Sequence, residues 1–321
     1  MKILAVLIFV PLQIVWLPLT ILGSMIVGYR QLVISSQLGV SQTAVEIING
    51  RWAMDAFGLR KDAAARKLAD AIPNNSVFGL WLALFPIWIV SKLFRMPFLY
   101  PTIPSPENAK LTNLVPSRTV EFDALISTNA ESCAQLVILG AGLDTRAYGP
   151  LKQSGLAIYE LDEPLTQAHK TASLEQAQID AGHVQFVEVD FGDRDWSDAL
   201  LATDFDREKA TIFLWEGVTL YLPEDAVKAT IASLKNIAPA GSVVLTDLYS
   251  QRFVKFAKGK AIGWSLEMTG ETMNFGLDFA SNPDDTLKRF ADGNDVGLGH
   301  HQCLGGANKN GPFVAIAEFR L

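Results

Sequence analysis

The chain has 321 residues, a length that suits one large α/β domain together with an extension. Its formal net charge of −7 argues against a nucleic-acid substrate, because phosphate contacts need a basic surface. Two cysteines, Cys133 and Cys303, provide no disulfide framework and agree with a reducing, cytosolic environment.

The first segment of the chain is apolar. Lys2 and Arg30 bound a run of 27 uncharged residues, which as a helix would be about 40 Å long and could cross a hydrocarbon core of roughly 30 Å. Pro11 and Pro18 are tolerated in membrane helices. A signal peptide would have a shorter apolar region and a small-residue cleavage site, and a buried core helix is the other alternative. We predict that residues 1–30 form a retained transmembrane or membrane-anchoring helix.

Residues 31–106 are predicted to be a helical extension. Residues 43–71 have apolar positions at helical spacing, and four prolines between residues 97 and 106 indicate a linker. A second uncharged stretch has its apolar core at residues 77–90, which is short for a membrane span. We expect segment 77–94 to be an interfacial or re-entrant helix, or a hydrophobic lid over a substrate pocket, with a second crossing as the alternative.

The charges between the two apolar stretches bear on membrane topology, because such cations normally stay cytoplasmic. Two crossings would place these six cations on the wrong side of the membrane. We therefore expect one span, an interfacial second segment and a catalytic domain on the cytoplasmic side. The cations are Arg30, Arg51, Arg60, Lys61, Arg66 and Lys67.

From residue 107 to 321 the pattern alternates between short apolar strands and helices. Such alternation predicts a doubly wound α/β domain with a mainly parallel sheet and helices on both faces. Residues 312–321 alternate like an antiparallel strand. Strands are expected near 135–140, 156–161, 184–189, 210–215 and 241–247, and helices from about Thr145, over 164–177 and over 223–237.

The glycine pair in Gly140-Ala141-Gly142 follows the first of these strands, where a tight turn can bring the backbone close to a ligand. A dinucleotide site usually has a third glycine, but that position is Thr145 here. Asp144 adds a carboxylate that would repel phosphates. The loop therefore favours a phosphate-free or positively charged ligand, and S-adenosylmethionine meets both conditions.

Acidic residues end three successive strands. Asp162 lies twenty residues after Gly142, at the position where an acid can bind ribose hydroxyls. Asp190 and Glu216 end the next two apolar stretches. Each could mark only a strand's exit into solvent, but the carboxyl ends of parallel strands form the ligand crevice of a doubly wound sheet. Together they predict one pocket.

Several motifs occur together in a family-specific order, and the chain from about Ser117 onward resembles the leucine carboxyl methyltransferase-like family of S-adenosylmethionine-dependent enzymes. The match at Gly270-Glu271 is weaker because Thr272 stands where the family has proline. The motifs are Arg118-Thr119 with Glu121-Phe122-Asp123, the loop Gly140 to Arg146, Tyr159 to Pro164, Val189-Asp190-Phe191, Trp215 to Leu222, and Gly270-Glu271 with Phe275-Gly276.

The resemblance implies a seven-stranded, Rossmann-like class I methyltransferase domain. It implies that Arg118 holds the carboxylate of S-adenosylmethionine and that Asp190 accepts a hydrogen bond from the adenine amine. The implied cofactor-binding set is Arg118, Gly140, Ala141, Gly142, Asp144, Arg146, Asp162, Asp190, Phe191 and Glu216.

The implied reaction is an in-line displacement in which an acceptor oxygen attacks the sulfonium methyl group. A carboxylate acceptor needs no base, whereas a hydroxyl acceptor benefits from one. Tyr221, His300 and His301 are candidates to orient or deprotonate a hydroxyl. His169 is expected to be structural, and no metal site is expected because Cys303 near the two histidines gives no metal-ligand spacing.

The sequence leaves the identity of the methyl acceptor open. The apolar N-terminal part favours O-methylation of a hydrophobic, membrane-partitioned small molecule. One alternative is carboxyl methylation of a protein C-terminus. Another is a membrane-anchored S-adenosylmethionine-binding protein without catalytic activity.

Overall fold

The computed structural model describes residues 1–191, 196–308 and 311–321, apart from the side chains of residues 260–262. Within the described residues, five α-helices lie before residue 107. The first continues through Pro11 and Pro18 and is followed by a π-helical segment, Arg30–Ile34. The helices are α1 (Lys2–Tyr29), α2 (Ser35–Leu38), α3 (Gln42–Phe57), α4 (Ala63–Ala71) and α5 (Val77–Phe94).

Seven further helices belong to the α/β domain, within the described ranges. They are α6 (Leu114–Asn129), α7 (Pro164–Gln176), α8 (Trp196–Leu201), α9 (Glu224–Ile237), α10 (Gln251–Ala257), α11 (Lys260–Glu267) and α12 (Pro283–Gly293). The strands are β1 (Gln135–Leu139), β2 (Ala157–Asp162), β3 (Val184–Glu188), β4 (Thr211–Trp215), β5 (Val243–Tyr249), β6 (Gly297–Leu304) and β7 (Val314–Arg320).

These strands form one sheet in the order β3-β2-β1-β4-β5-β7-β6. β1 to β5 pair in parallel, and β7 runs antiparallel to both β5 and β6. The predicted mainly parallel seven-stranded sheet with an antiparallel terminal strand is therefore confirmed. β6 is an addition, because its sequence of glycines and polar residues did not predict a strand.

Side chains along β1 alternate between two hydrophobic cores, as the period of a strand requires. Val137 and Leu139 face a core that includes Ile231 of α9, whereas Leu136 and Ile138 face a core that includes Phe122 of α6. All five residues of β1 are buried. Both faces of the sheet are thus covered, so a ligand can reach the sheet at the ends of its strands.

The segment after β1 departs from the prediction of a helix starting near Thr145. Two short 3-10 turns follow the glycine loop, at Arg146–Tyr148 and Pro150–Gln153. Pro150 has no N–H to donate to the carbonyl of Arg146, so a regular helix cannot continue through this segment.

In the extension, the predicted helical region 43–71 is divided into α3 and α4. Gly58 ends α3 in a left-handed conformation with φ of 83°. Asp62 then caps α4 by accepting from the backbone N–H of Ala65 at 2.9 Å. α4 packs against α3, and His169 of α7 lies 3.1 Å from Oδ1 of Asn74, which fits its expected structural role.

Helices α1 and α5 form an antiparallel pair. The indole N–H of Trp16 donates to the carbonyl of Leu82 at 2.9 Å, and near the other end of α1 the side chain of Arg30 donates to the carbonyl of Asn75 at 2.9 Å. The backbones meet at two glycines, since a Cβ on Gly23 would lie 2.5 Å from the carbonyl oxygen of Gly79. Small residues at such a crossing allow close packing of apolar helices.

The opposite side of α5 packs against α3. The rings of Trp52 and Trp81 meet edge to face with centroids 5.1 Å apart, and Trp88 donates to the carbonyl of Ala56 at 3.1 Å. α5 therefore lies between α3 and α1. The outer side of α1 stays exposed, with Ile3 and Val15 each 79% accessible. In the described part of the chain, the two helices long and apolar enough to cross a membrane are α1 with its continuation to Leu38, and α5.

Candidate active site

A cavity of about 940 Å³ lies at the carboxyl ends of β1, β2 and β4. Its walls come from the strand-end loops, from α3 and the end of α1, and from α6, α10 and the segment after α11. A volume of this size suits a nucleoside cofactor with a second small molecule. The lining includes Gly140 to Asp144, Asp162, Asp190, Phe191, Glu216, Tyr221, Gly28, Leu32, Ser41, Thr43, Glu46, Arg51, Arg118, Phe253, Phe256 and Glu271.

The glycine loop is shaped by close contacts. Gly140 and Gly142 have φ values of 66° and 43°, and a Cβ on Gly140 would lie 2.4 Å from Cγ2 of Val218. The N–H of Gly142 donates to Oδ2 of Asp162 at 2.5 Å. The loop and the acid at the end of β2 are thus joined, and both line one cavity together with Ala141.

Asp162 accepts a second hydrogen bond from the N–H of Glu163 at 2.8 Å. Burial raises the pKa of Asp162, although these two backbone donors oppose the shift. Asp190 and Phe191, which follow β3, line the same side of the cavity, and the ring of Phe191 lies 5.5 Å from that of Trp196. The acids predicted to bind ribose and adenine are therefore neighbours in one cavity.

Arg118 lies between two acids at the cavity wall. It donates to Oδ2 of Asp247 at 2.7 Å, and its Nε lies 2.9 Å from Oε1 of Glu216. Asp247 also accepts from the N–H of Gly217 at 2.8 Å. The guanidinium is held rigidly at the end of β4, and its role toward a cofactor carboxylate stays a prediction.

Asp144 does not present a free carboxylate to the cavity, which corrects the argument that it repels phosphate. Arg51 of α3 donates to both oxygens at 2.8 and 2.9 Å, and Arg146 donates to Oδ2 at 2.5 Å. Burial opposes ionisation, but the two arginines hold the pKa of Asp144 well below its usual range. Arg51 therefore neutralises the acid that was expected to select a cation.

Glu216 shares these arginines. Its Oε2 accepts from Arg146 at 2.5 Å and lies 3.5 Å from Arg51, while Oε1 faces Arg118. Burial raises the pKa of Glu216, but Arg146, Arg118 and Arg51 outweigh it and lower the pKa below its usual value. Glu216 thus belongs to a buried ion-pair cluster and also lines the cavity.

Arg146 was expected to contact the cofactor, but its side chain lies behind the cavity wall. Besides Asp144 and Glu216, it donates through Nε to Oδ1 of Asp123 at 2.7 Å. It is buried and absent from the cavity lining. Its role is to position the two acids, which the sequence could not show because the pairing partners are distant along the chain.

Tyr221 lines the cavity and donates its hydroxyl proton to Oγ1 of Thr43 at 3.1 Å. Thr43 in turn donates to Oε1 of Glu271 at 2.6 Å. Burial and the nearby Glu271 raise the pKa of Tyr221, so the phenol keeps its proton at neutral pH. Tyr221 is suited to orient a ligand and unsuited to act as a base.

The prediction that His300 and His301 act in the site is wrong. Both lie on β6, at the edge of the sheet, and neither lines the cavity. Nε2 of His300 lies 2.7 Å from Glu121, and Nε2 of His301 lies 3.3 Å from Asp284. The sequence did not reveal β6 and so could not reveal that its histidines lie on an edge strand outside the cavity lining.

The expected lid is also placed differently. No residue of α5 lines the cavity in the described structure, and the covering wall comes from α3 instead. Sequence reasoning missed Arg51, Thr43 and Glu46 as site residues. Arg51 had been noted only as a charge, and a helical pattern alone gives no sign that α3 reaches the strand ends.

The family model described as leucine carboxyl methyltransferase matches residues 96–235. A relative from Mycobacteroides abscessus named "Putative S-adenosyl-L-methionine-dependent methyltransferase" is 33% identical over 52% of this chain and 55% of its own length. A relative of similar name from Streptomyces coelicolor is 29% identical over 68% of this chain and 77% of its own length.

The chain spans about half the length of several curated relatives that it matches, with coverage of 55% and 50% in two of them. Among solved structures, the methyltransferase domain of bacterial CtHen1 aligns with 65% of this chain and all of its own length, at 13% identity and a TM-score of 0.46.

Proposed function

We propose that the chain, which is similar to leucine carboxyl methyltransferases and to proteins named as S-adenosylmethionine-dependent methyltransferases, is an O-methyltransferase for a hydrophobic small molecule or lipid-like acceptor at a membrane surface. One observation carries the proposal. A single cavity joins the strand-end acids to an apolar wall that reaches Gly28, near the end of the exposed helix α1.

The residues at the strand ends fit the cofactor. The glycine loop packs against Val218, where a Cβ on Gly140 would collide, and its backbone lines the same cavity as the carboxyl of Asp162. In the proposal Asp162 binds the ribose hydroxyls, Asp190 with Phe191 holds the adenine, and Arg118 binds the cofactor carboxylate. When bound, S-adenosylmethionine supplies an electrophilic methyl group on its sulfonium.

The protein's own contribution is alignment and exclusion of water. The ion pairs around Glu216 fix the cavity wall at the end of β4, and Tyr221 can donate a hydrogen bond to an acceptor only by leaving Thr43. Holding two reactants in line in this way can supply several kcal/mol of the barrier.

The apolar wall supports a hydrophobic acceptor. Phe253 and Phe256 of α10 and Leu266 of α11 line the cavity on one side, and Leu32 lines it where α1 ends. Phe256 is 59% accessible, so the wall opens toward the surface. An acceptor dissolved in lipid could reach the methyl donor along this wall without crossing water.

The helix arrangement supports attachment in the plane of the membrane in place of a crossing. Crossing by α1 alone would pull it away from α5. Crossing by both would separate α3, which lies between them in sequence, from the α/β domain, yet Arg51 and Arg60 of this region pair with Asp144 and Asp123. We propose that α1 lies in the interface with its exposed side chains in lipid and the α/β domain on the cytoplasmic side.

The test uses the full chain with methyl-labelled S-adenosylmethionine and vesicles of total lipid extract. Label in an organic-soluble product is the expected result, and Asp162→Ala should abolish it. Alkali-labile label on protein would favour methylation of a protein C-terminus. Cofactor binding without transfer to lipid or peptide would favour a non-catalytic binding protein. Absence of S-adenosylmethionine binding by calorimetry would overturn the proposal.

A further inference from the structure

Glu46 is a carboxylate of α3 that projects into the cavity. It is exposed to the cavity while protein surrounds it on most sides, and in the described part of the chain no hydrogen bond or ion pair engages it. Burial raises the pKa of Glu46, and Glu271 adds to the shift while Arg118 opposes it. Such a carboxylate is a stronger base than a solvated one.

Its neighbours place Glu46 away from the proposed nucleoside end. It acts electrostatically on Tyr221, which follows β4, and on Tyr100, whose pKa rises to about 12 through burial and this charge. Asp162 and Asp190 follow β2 and β3, on the other side of β1 in the sheet. Glu46 thus lies on the side of the cavity that holds Arg118, Tyr221 and Glu271, and in the proposed function this is the side of the reacting groups.

The other groups at this end are already engaged. Glu216 is paired with arginines, and Glu271 accepts from Ser41, Thr43 and Thr269 at 2.8, 2.6 and 2.6 Å. Tyr221 donates its proton to Thr43. Among the carboxylates that the structure describes at this end, Glu46 is therefore the one without a hydrogen bond, and it has acceptor capacity left for a ligand.

We propose that Glu46 accepts the proton of an acceptor hydroxyl, so the substrate class is a hydrophobic alcohol or phenol and not a carboxylic acid. The inference rests on the proposed function. The acceptor O–H bond breaks and its proton passes to an Oε of Glu46 as the oxygen bonds to the methyl carbon. The carbon–sulfur bond breaks and its electron pair stays on sulfur. The products are a methyl ether, S-adenosylhomocysteine and protonated Glu46, which returns its proton to solvent.

A carboxylate acceptor would meet the opposite environment. It arrives already ionised, so it has no proton to give, and it would stand beside Glu46 and Glu271 in a partly enclosed space. Like charges at short range disfavour binding, and the penalty grows as water is excluded. Arg118 offers little compensation, because in the proposed function it already binds the carboxylate of the cofactor besides pairing with Asp247 and Glu216.

A matched pair of probes tests this selectivity in the full chain. Binding of 4-octylphenol and 4-octylbenzoate is measured in the presence of S-adenosylhomocysteine, after cofactor affinity has been established. The phenol should bind at least tenfold more tightly than the benzoate, and Glu46→Gln should remove most of the difference. Glu175→Gln, on the exposed side of α7, is the matched control and should leave the selectivity unchanged.

Cofactor affinity separates the possible failures. If the wild type does not bind S-adenosylmethionine, the proposed function fails. If it does bind but prefers the benzoate, binds both probes equally or binds neither, the Glu46 assignment is overturned. A tenfold loss of cofactor affinity in Glu46→Gln would also overturn it, because Glu46 would then serve the cofactor.

Methyl transfer gives a second readout. With 4-octylphenol or the labelled lipid product, Glu46→Gln should lower kcat by about 100-fold or more, the usual range for loss of a general base. Glu46→Asp should recover part of that loss. The acidic limb of the pH profile should disappear in Glu46→Gln, and persistence of that limb at full rate would contradict the assignment.

Discussion

Arg51 in helix α3 and Asp144 in the glycine loop form a buried two-point ion pair, with nitrogen–oxygen distances of 2.8 and 2.9 Å. The extension therefore supplies a charge to the interior of the α/β domain. The predicted boundary at residue 106 divides the sequence, but the buried cluster extends across it. The helices before the linker complete the cavity and the electrostatics of its wall.

Removing Arg51 should destabilise the whole chain. Arg51→Met leaves Asp144 and Glu216 short of a positive partner in a buried site, and breaking such a cluster costs about 3–5 kcal/mol. The free energy of unfolding from guanidinium denaturation measures the loss. Arg66→Met is the control, because Arg66 is 59% accessible and 3.4 Å from Asp55, and should change stability by less than about 1 kcal/mol. Equal effects of the two changes would contradict a buried cluster.

The same cluster predicts loss of stability in acid. Asp144, Glu216 and Asp123 have lowered pKa values in the folded protein, so their stabilisation is present above the unfolded-state values of about 4 and is lost as pH falls through the lower folded values. The melting temperature should be flat from neutral pH to about pH 5 and then fall. Asp144→Asn should weaken that dependence, and a Tm that falls equally steeply in the variant would exclude the assignment.

Glu46 should show the opposite sign. Its folded-state pKa is raised, so its favourable contribution is complete below the unfolded value and disappears as pH rises through the folded value. At neutral pH the ionised carboxylate destabilises the fold. Glu46→Gln should therefore raise Tm at pH 7 and above while leaving Tm near pH 4 unchanged. Scanning calorimetry over this pH range measures both Tm values. A lower Tm for Glu46→Gln than for the wild type at pH 7 would contradict an unpaired carboxylate at this position.

The acid after β2 and the histidines of β6 should differ in their effect on cofactor affinity. Asp162→Asn should weaken S-adenosylmethionine binding by about 10- to 100-fold, the effect of losing one or two charged hydrogen bonds. His300→Ala and His301→Ala should leave affinity and turnover within about twofold, because neither histidine lines the cavity. Isothermal titration with circular dichroism as a folding control is sufficient. A large loss in either histidine variant would place β6 at the site.

Membrane attachment should depend on the outer side of α1. Val15 is 79% accessible, and Val15→Glu replaces an apolar contact worth about 1.5–3 kcal/mol with a charge, so binding to phosphatidylcholine vesicles should fall at least tenfold. Leu165→Glu on α7, also well exposed at 63%, is the matched control and should have no effect. Co-sedimentation measures both, and equal binding of Val15→Glu and wild type would remove α1 from the lipid interface.

Local patterns were sufficient for the sheet and for bringing the glycine loop and the acids after β2 and β3 to one cavity. The run before Gly140 predicted a buried strand, and the spacing from Gly142 to Asp162 placed both residues at one pocket, where the structure joins them by a hydrogen bond of 2.5 Å. Both are short-range consequences of strand period and turn geometry. This part of the fold could be predicted because each strand and turn has a recognisable pattern within its own stretch of sequence.

Long-range pairings could not be derived in the same way. Nothing near Arg51 indicates that it pairs with Asp144, 93 positions later, and a charge on a helix is usually solvated. His300 was a candidate site residue because the neighbouring glycines obscure the alternating pattern of β6. That strand places His300 at the edge of the sheet. Glu46 was not identified from the sequence, because no sequence pattern shows whether a carboxylate has hydrogen-bond or ion-pair partners. The packed structure shows that Glu46 has none among the described residues.

Ala44 of α3 approaches the glycine loop so closely that a Cβ on Gly142 would touch it at 3.5 Å. The cavity therefore lies between α3 and the strand-end loops, and a ligand that fills it contacts both. Ligand binding and the packing of α3 against the loops are then linked equilibria: the ligand stabilises the packing, and the packing raises the affinity for the ligand by the same factor. The amide protons of α3 should exchange more slowly as ligand concentration rises, which makes a helix far from the glycine motif in sequence a reporter of occupancy.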